Sequence, residues 1–339
     1  MHNPKYHHLI PKTYLKAWCY SNESTYVMDK KTKLIETKNI GNNFGISQFH
    51  SIVAGMPICE EDDLVQIFKA LSGYEIFYES KQLNNLDEYN RNYLNFANWI
   101  IKKDEIQIVD KKKRTLKTEI GKVKIKDIEN LWATKYEDKW KCLLETIEHN
   151  IYKTNSLKVD EFLKGIIMKF VIAFNWRGFY SNELFMATYK TIISNANLDK
   201  INIPVGERYK NNLDTVEKEF EHLMVLKKYR EFLKDEGLMY DSAKNYIRLM
   251  SIKFCISTGN NKFITSDNPS FICVNNEGHQ LEHIMPISPN VVMAIGLDGA
   301  NDNKYIIERI SDKQVSQINK KILDNSIERI ISIQNKIKF

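Results

Sequence analysis

The chain has 339 residues, 27% of them charged and 43% hydrophobic, with 49 Lys/Arg against 43 Asp/Glu. That composition supplies a sizeable core and excludes a disordered chain. The longest apolar-rich run, 162–176, is broken by Lys164 and Lys169 and is too short to cross a bilayer, so a membrane-spanning protein is excluded on the same ground.

The six residues ahead of His7 form no apolar leader, and a soluble, cytoplasmic protein without a membrane partner is expected. Pro11 suits the first turn of a helix, where its missing N–H costs nothing, and Tyr14, Leu15 and Trp18 follow on one face. Segments 24–28 and 34–38 read as strands of a hairpin turning at Asp29-Lys30-Lys31-Thr32, and a short strand or turn is expected at 49–52. From about 60 to 249 the pattern is mostly helical, interrupted at 105–124 by a stretch that alternates in places like a β-hairpin. Leu163, Ile167, Phe170 and Phe174 form an apolar stripe behind an Asp160 cap, and the next step of three lands on Arg177. A helix over 214–236 is expected to end at Gly237. Strands return at 252–257 and 262–266, read as a hairpin, then at 271–274, 283–286, 291–296 and 305–310. A last helix from Ser311 or Asp312 carries Val315, Ile318, Ile322, Ile327 and Ile331 on one side.

These elements imply an α+β fold: a mixed or antiparallel sheet built from N- and C-terminal strands, with a large helical middle. The parts are 1–55, an N-terminal α+β portion; 56–250, mainly helical with a basic hairpin-like insertion near 104–124; and 251–339, strands plus the final helix. Five cysteines, Cys19, Cys59, Cys142, Cys255 and Cys273, stand far apart without any CxxC spacing, so reduced thiols are expected and a zinc ribbon is excluded.

Charge and titratable groups select a few positions. Residues 101–126 hold ten Lys/Arg and four Asp/Glu, and this stretch alone accounts for the chain's surplus of +6. Its run Lys111-Lys112-Lys113-Arg114 either tracks phosphates or is a solvated hairpin tip. His7 and His8 point to opposite faces if extended, so one of them enters a given site, as acid/base or metal ligand, or serves as a structural histidine. His8 is the choice, being nearer the helix at Pro11. Arg177 is either in solvent at a fraying helix end or inward and paired. In Thr265-Ser266-Asp267-Asn268-Pro269 the Asp and Asn either close an Asx-turn or place Asp267 in a cleft, as metal ligand, histidine orienter or partner of Arg177.

The opening His7-His8-x-x-Pro11-x-x-Tyr14-Leu15-x-x-Trp18, with Tyr26-Val27-Met28-Asp29-Lys30 and Phe49-His50, resembles the N-terminus of the DUF4238 family. Thr265-Ser266-Asp267-Asn268-Pro269 and Pro286-Ile287-Ser288-Pro289 are similar to that family's two C-terminal motifs, and Arg177 to the arginine of its central helix. His50 stands where the family usually has tyrosine, Trp18 where it has phenylalanine, and Gly178-Phe179 where it has Thr-Pro. The resemblance names no reaction but groups His7, His8, Arg177, Asp267 and Asn268 as one catalytic set. The function expected is a nuclease or phosphodiesterase acting on RNA or DNA, an effector of a bacterial defence or conflict system. In that reading a histidine is the acid/base, Arg177 clamps phosphate, Asp267 holds a divalent metal such as Mg²⁺, and Tyr14, Lys111, Lys112, Lys113 and Arg114 contact substrate. Two alternatives use the same groups: a non-catalytic sensor or binding protein, with a protein partner or a second copy of the chain, in which they form a structural polar network, and an enzyme on a nucleotide or other small anion.

Overall fold

Strand β1 (Tyr6–His8) leads through Pro11 into one helical turn, α1 (Lys12–Leu15), where Leu15 N bonds back to Pro11 O at 3.1 Å. The structure is a computed structural model, and it describes residues 6–177, 191, 193–274, 281–297 and 303–337. The expected hairpin is present as β2 (Ser24–Asp29) and β3 (Ile35–Asn39), paired antiparallel with Met28 opposite Ile35. Its turn is held by the Asp29 carboxylate, which accepts from the Lys31 and Thr32 amides. Strand β4 (Gly45–Ser47) then returns to β1 and sets His7 opposite Ile46.

Helix α2 (Glu61–Ile67), β5 (Glu75–Tyr78), β6 (Lys81–Leu83), α3 (Leu86–Arg91), β7 (Ile100–Lys103), β8 (Ile106–Gln107) and α4 (Asp110–Lys122) follow. The four strands form an antiparallel sheet in the order β6-β5-β7-β8. The basic insertion is therefore mainly a helix and not a hairpin. The hairpin lies just before it, turning at Asp104 and Glu105, which both take positive φ (51° and 64°) as a tight two-residue turn requires. Beyond it the lysines, Arg114 and Glu119 are good helix formers, and Leu116 and Ile120, four apart, supply the buried stripe of α4.

The chain continues with α5 (Asp127–Trp132), a π-turn over Ala133–Glu137, α6 (Asp138–Lys153), β9 (Lys158–Asp160) and α7 (Lys164–Arg177). Next come α8 (Val216–Leu233) and α9 (Gly237–Leu249). Gly237 takes φ +75°, and a Cβ there would meet the Glu231 carboxylate at 2.6 Å, so the turn between these helices needs glycine.

The C-terminal part adds β10 (Ser251–Ser257), β11 (Thr265–Ser266), β12 (Phe271–Val274), β13 (Leu281–Ser288), β14 (Val291–Gly296), β15 (Lys304–Ile310), α10 (Asp312–Asn325) and β16 (Arg329–Ser332). One sheet, β12-β13-β14-β10-β15-β9, is mixed, with β10 parallel to β15 and its other pairs antiparallel. The other, β11-β16-β2-β3, is antiparallel and draws two strands from each end of the chain. Val315, Ile318 and Ile322 of α10 bury against residues of both sheets, Ile284 and Val292 in one and Met28 and Ile330 in the other.

Two elements differ from the sequence reading. Strands 252–257 and 262–266 do not pair; the loop between them is captured by α10, with Asn261 N bonded to Asp312 Oδ1 at 2.9 Å, and β11 crosses to β16. The last helix stops at Asn325, so Ile331 lies in a strand, because the amides of residues 327–329 are taken by Asp267.

The chain forms two compact units. The first comprises Met1–Phe49, Leu131–Met186 and Glu231–Phe339, the second His50–Asn130 and Ala187–Arg230, so the helical middle contributes to both. In the second unit Arg230 ties the segments together, bonding Asp63 at 2.9 Å, Asp127 at 2.7 Å and Ile58 O at 3.0 Å.

Candidate functional site

Within the first unit the N-terminal, central and C-terminal motifs meet at a set of buried joints. Tyr14 is fully buried; its hydroxyl donates to Pro286 O at 2.7 Å and shares a second 2.7 Å bond with the Thr265 hydroxyl. Its ring lies 4.8 Å from Trp18 and 4.8 Å from Phe174. Burial pushes the phenol pKa upward, so Tyr14 stays protonated. A residue expected to contact substrate is instead a core anchor.

Asp267 corrects the sequence reading more sharply. Its two carboxylate oxygens accept the backbone amides of Ile327, Glu328 and Arg329 at 2.9, 2.8 and 3.0 Å, and its own amide donates to Arg329 O. Burial raises its pKa, and the three amides oppose that shift. The amide dipoles that hold this carboxylate repel a cation, so the Mg²⁺ expected at Asp267 and its pairing with Arg177 give way to a backbone clamp. Asn268 belongs to the same clamp: its side chain donates to Asn325 O at 3.0 Å and its amide to Ser266 Oγ at 3.1 Å. Both bonds serve the turn.

Arg177 ends α7 at 2% exposure and is ion-paired with Glu137. Its guanidinium lies over the Trp132 ring, 5.0 Å from the centroid. Of the two sequence readings the inward, paired one is realised. The π-turn before α6 explains the pairing, since the extra residue brings Trp132, Tyr136, Glu137 and Trp140 to one side. The sequence reading singles out no partner for Arg177 at Glu137, because that pairing is 40 residues distant and leaves no local pattern.

His7 is fully buried in β1. His8 shares that strand through its backbone, and its side chain, with Gly178-Phe179, lies outside the described residues. The expected catalytic set is thus divided between separate partners: Asp267 and Asn268 to the β16 turn, Arg177 to Glu137.

Two further titratable groupings escape the sequence reading. In the first unit Ser270 Oγ donates to Val171 O at 3.1 Å, so His283 Nε2, 2.7 Å away, donates to Ser270, and His283 Nδ1 accepts from Tyr246 at 3.1 Å. That tautomer cannot take a proton from the serine, and burial pushes the His283 pKa down to about 3, so this is a structural pair. β13 is buried on both faces from His283 to Ser288, so no alternation in the sequence marks His283. In the second unit His50 Nδ1 lies 2.6 Å from Glu129, and His222 Nε2 lies 2.8 Å from the Lys210 amine. Burial takes His222 to about 2 and Lys210, with Lys124 adding repulsion, to about 7.

Helix α4 is the other site-bearing element of that unit. Lys113 turns inward, its amine donating to Ala97 O at 2.7 Å and to Trp99 O, so it is a strut and not a substrate contact. Lys111, Lys112, Arg114, Lys117 and Lys122 are exposed, and none forms an ion pair among the described residues. Lys111, Arg114, Thr115, Thr118 and Lys122 line a shallow groove of about 600 Å³ along the helix, with Asp110 and Glu119 at its side.

An α+β protein whose N-terminal, central and C-terminal motifs lock into one core is what this fold and these joints define. The chain belongs to the family described as Protein of unknown function (DUF4238), whose model matches residues 6–336. No match was found among the curated proteins or the solved structures.

Proposed function

We propose that this protein binds nucleic acid without cleaving it, through the cationic face of α4 in its second unit. The observation that carries the reading is the set of five exposed cations on that helix, Lys111, Lys112, Arg114, Lys117 and Lys122, beside two acids, Asp110 and Glu119. Some surface lysines elsewhere are matched locally, Lys218 with Asp214 at 2.7 Å, Lys244 with Asp241 at 2.8 Å and Lys141 with Glu145 at 3.7 Å, while others such as Lys33, Lys69 and Lys81 stand singly and not as a row on one helix. A row of unmatched cations along a groove suits a polyanion, whose condensed counterions are released on contact. Thr115 and Thr118 donate their hydroxyl protons to the helix carbonyls of Lys111 and Arg114, so the face offers charge and not base readout. Binding is therefore independent of sequence. Cleavage is left out of the proposal because Asp267 is spent on backbone amides and Arg177 on Glu137. The cysteines are free thiols, which fits a reducing compartment such as the cytoplasm.

Fluorescence anisotropy with labelled RNA and DNA oligonucleotides tests the reading. The triple variant Lys111→Glu, Arg114→Glu, Lys122→Glu is expected to lose about tenfold or more in affinity. A charge-matched control, Lys141→Glu, Lys218→Glu, Lys244→Glu, is expected to stay within about twofold of the parent. Equal losses in both, no binding by the parent, or preference for an acidic peptide over nucleic acid would each sink the proposal. Cleavage of either oligonucleotide by the parent, lost in Arg177→Gln, would restore the catalytic alternative.

A further inference from the structure

The small antiparallel sheet of the second unit buries one face and leaves the other open. Alternation turns Ile76 of β5, Leu83 of β6 and Ile101 of β7 inward, where all three are buried. On the open face Gln82, Phe77 and Ile100 stand side by side across β6, β5 and β7. The β7–β8 register, carried on by the bond from Ile108 N to Ile101 O at 3.0 Å, sets Val109 next in that row. Ile100 is 43% and Val109 70% exposed, and Phe77 is half-buried. Val109 is also the cap of α4, its carbonyl accepting the Lys112 and Lys113 amides, so the apolar row runs directly into the cationic helix.

The two halves of this surface narrow what it takes. An exposed row of aromatic and aliphatic side chains suits a flat apolar body, and the cations of α4 favour a negative charge on the same molecule. A nucleic-acid single strand carries both, an unpaired base and a phosphate at every nucleotide. A duplex carries the phosphates but keeps the faces of its bases stacked against one another. The Lys102 amine lies over the Phe77 ring, 4.9 Å from the centroid, so that ring face is open to a cation and, once a phosphate draws the amine away, to a base. Glu75 and Gln107 flank Lys102 in the neighbouring row, and a carboxylate beside the apolar row works against an anionic bilayer. A second copy docked row to row would bring two cationic helices together.

We infer that the Phe77–Ile100–Val109 row is a base-stacking platform, and that the second unit takes a single strand with its bases on this sheet and its phosphates on α4. The inference rests on the reading of α4 as a nucleic-acid face and adds the part of the strand that cations alone do not hold. Stacking tolerates any base, in keeping with binding independent of sequence.

The test is fluorescence anisotropy of the intact protein with labelled probes of equal length: oligothymidylate, the same backbone without bases, and a duplex. The parent is expected to bind oligothymidylate about tenfold tighter than the abasic strand. Phe77→Ala should remove that difference while leaving the abasic and duplex affinities within about twofold of the parent. Phe77→Leu keeps an apolar side chain without a π face, should show most of the same loss, and decides the matter if the alanine variant fails to fold. Equal affinity of the parent for oligothymidylate and the abasic strand, or a Phe77 loss shared by all the probes, would overturn the platform and leave the α4 reading standing. Binding to none of the probes would sink the α4 reading and the platform with it. Tighter binding to phosphatidylserine vesicles than to oligothymidylate, or a dimer that Val109→Asp disperses, would give the row to a bilayer or to a second copy and overturn the inference as well.

Discussion

Asp267 and Lys111 are each one charge in a short motif, and they meet opposite fates. In the first unit every charge within the motifs is matched by a fixed partner: Asp267 by three amides, Arg177 by Glu137. On α4 of the second unit five cations stand without ion pairs among the described residues. A buried charge without a partner would unfold the protein, so the first unit is compelled to match its own. An exposed cation carries no such cost, and its partner can come from outside. The motif residues most suggestive of chemistry are therefore the ones that hold the fold, and the plain lysine helix is the one left open to a ligand.

That contrast can be broken by substitution, starting where the expected effect is largest. Asp267→Ala leaves three backbone amides without an acceptor and is expected to cost about 3–5 kcal/mol in denaturant unfolding. Asp267→Asn keeps one carbonyl acceptor and should recover part of that loss; a loss below about 1 kcal/mol in the alanine variant would show that the clamp is not what holds the turn.

Acid should weaken the fold next. His283 and His222 have folded pKa values of about 3 and about 2, below their ordinary 6.5, because burial disfavours the imidazolium. Between those limits the unfolded chain binds more protons, so their contribution is present above pH 6.5 and is lost as pH falls toward the folded values. Each histidine adds a slope of about 1.4 kcal/mol per pH unit within that window. Unfolding curves at successive pH values measure it, and His283→Gln should remove about half of the histidine slope. A slope unchanged by that substitution would contradict the assignment.

Tyr14→Phe is smaller, about 1–2 kcal/mol, because it removes one hydroxyl and leaves the ring packed against Trp18 and Phe174. Smallest of all for the fold is the triple reversal on α4, which is expected to change stability by less than about 0.5 kcal/mol while removing most nucleic-acid binding. Should it destabilise the second unit instead, the lysines would be part of the fold and the contrast would fail.

The outline of these regions is legible in the sequence where local chemistry decides structure. Asp29 marks the β2–β3 turn, Ser311 caps α10 with Gln314 closing the box, and the apolar run of β14 gives its bounds. Thr265 to Pro269 was legible as a turn and as a motif joining distant parts. The donors it accepts from were not: Asp267 takes amides some 60 residues away, and no periodicity encodes which amides those are. Glu137 is hidden for the same reason, with a π-turn altering its helical phase. At α4 the local pattern itself misleads, since two apolar residues four apart are few, and the alternation belongs to the hairpin that ends just before.

The most direct test of the central claim is the salt dependence of nucleic-acid affinity. Three phosphates held by Lys111, Arg114 and Lys122 imply a slope of log K on log salt of about −2 for a single strand and about −2.7 for a duplex. Affinity should then fall about 20- to 40-fold between about 50 and 200 mM salt. The triple variant should flatten that slope to near zero. A slope that the variant leaves unchanged would place the binding elsewhere and contradict the account.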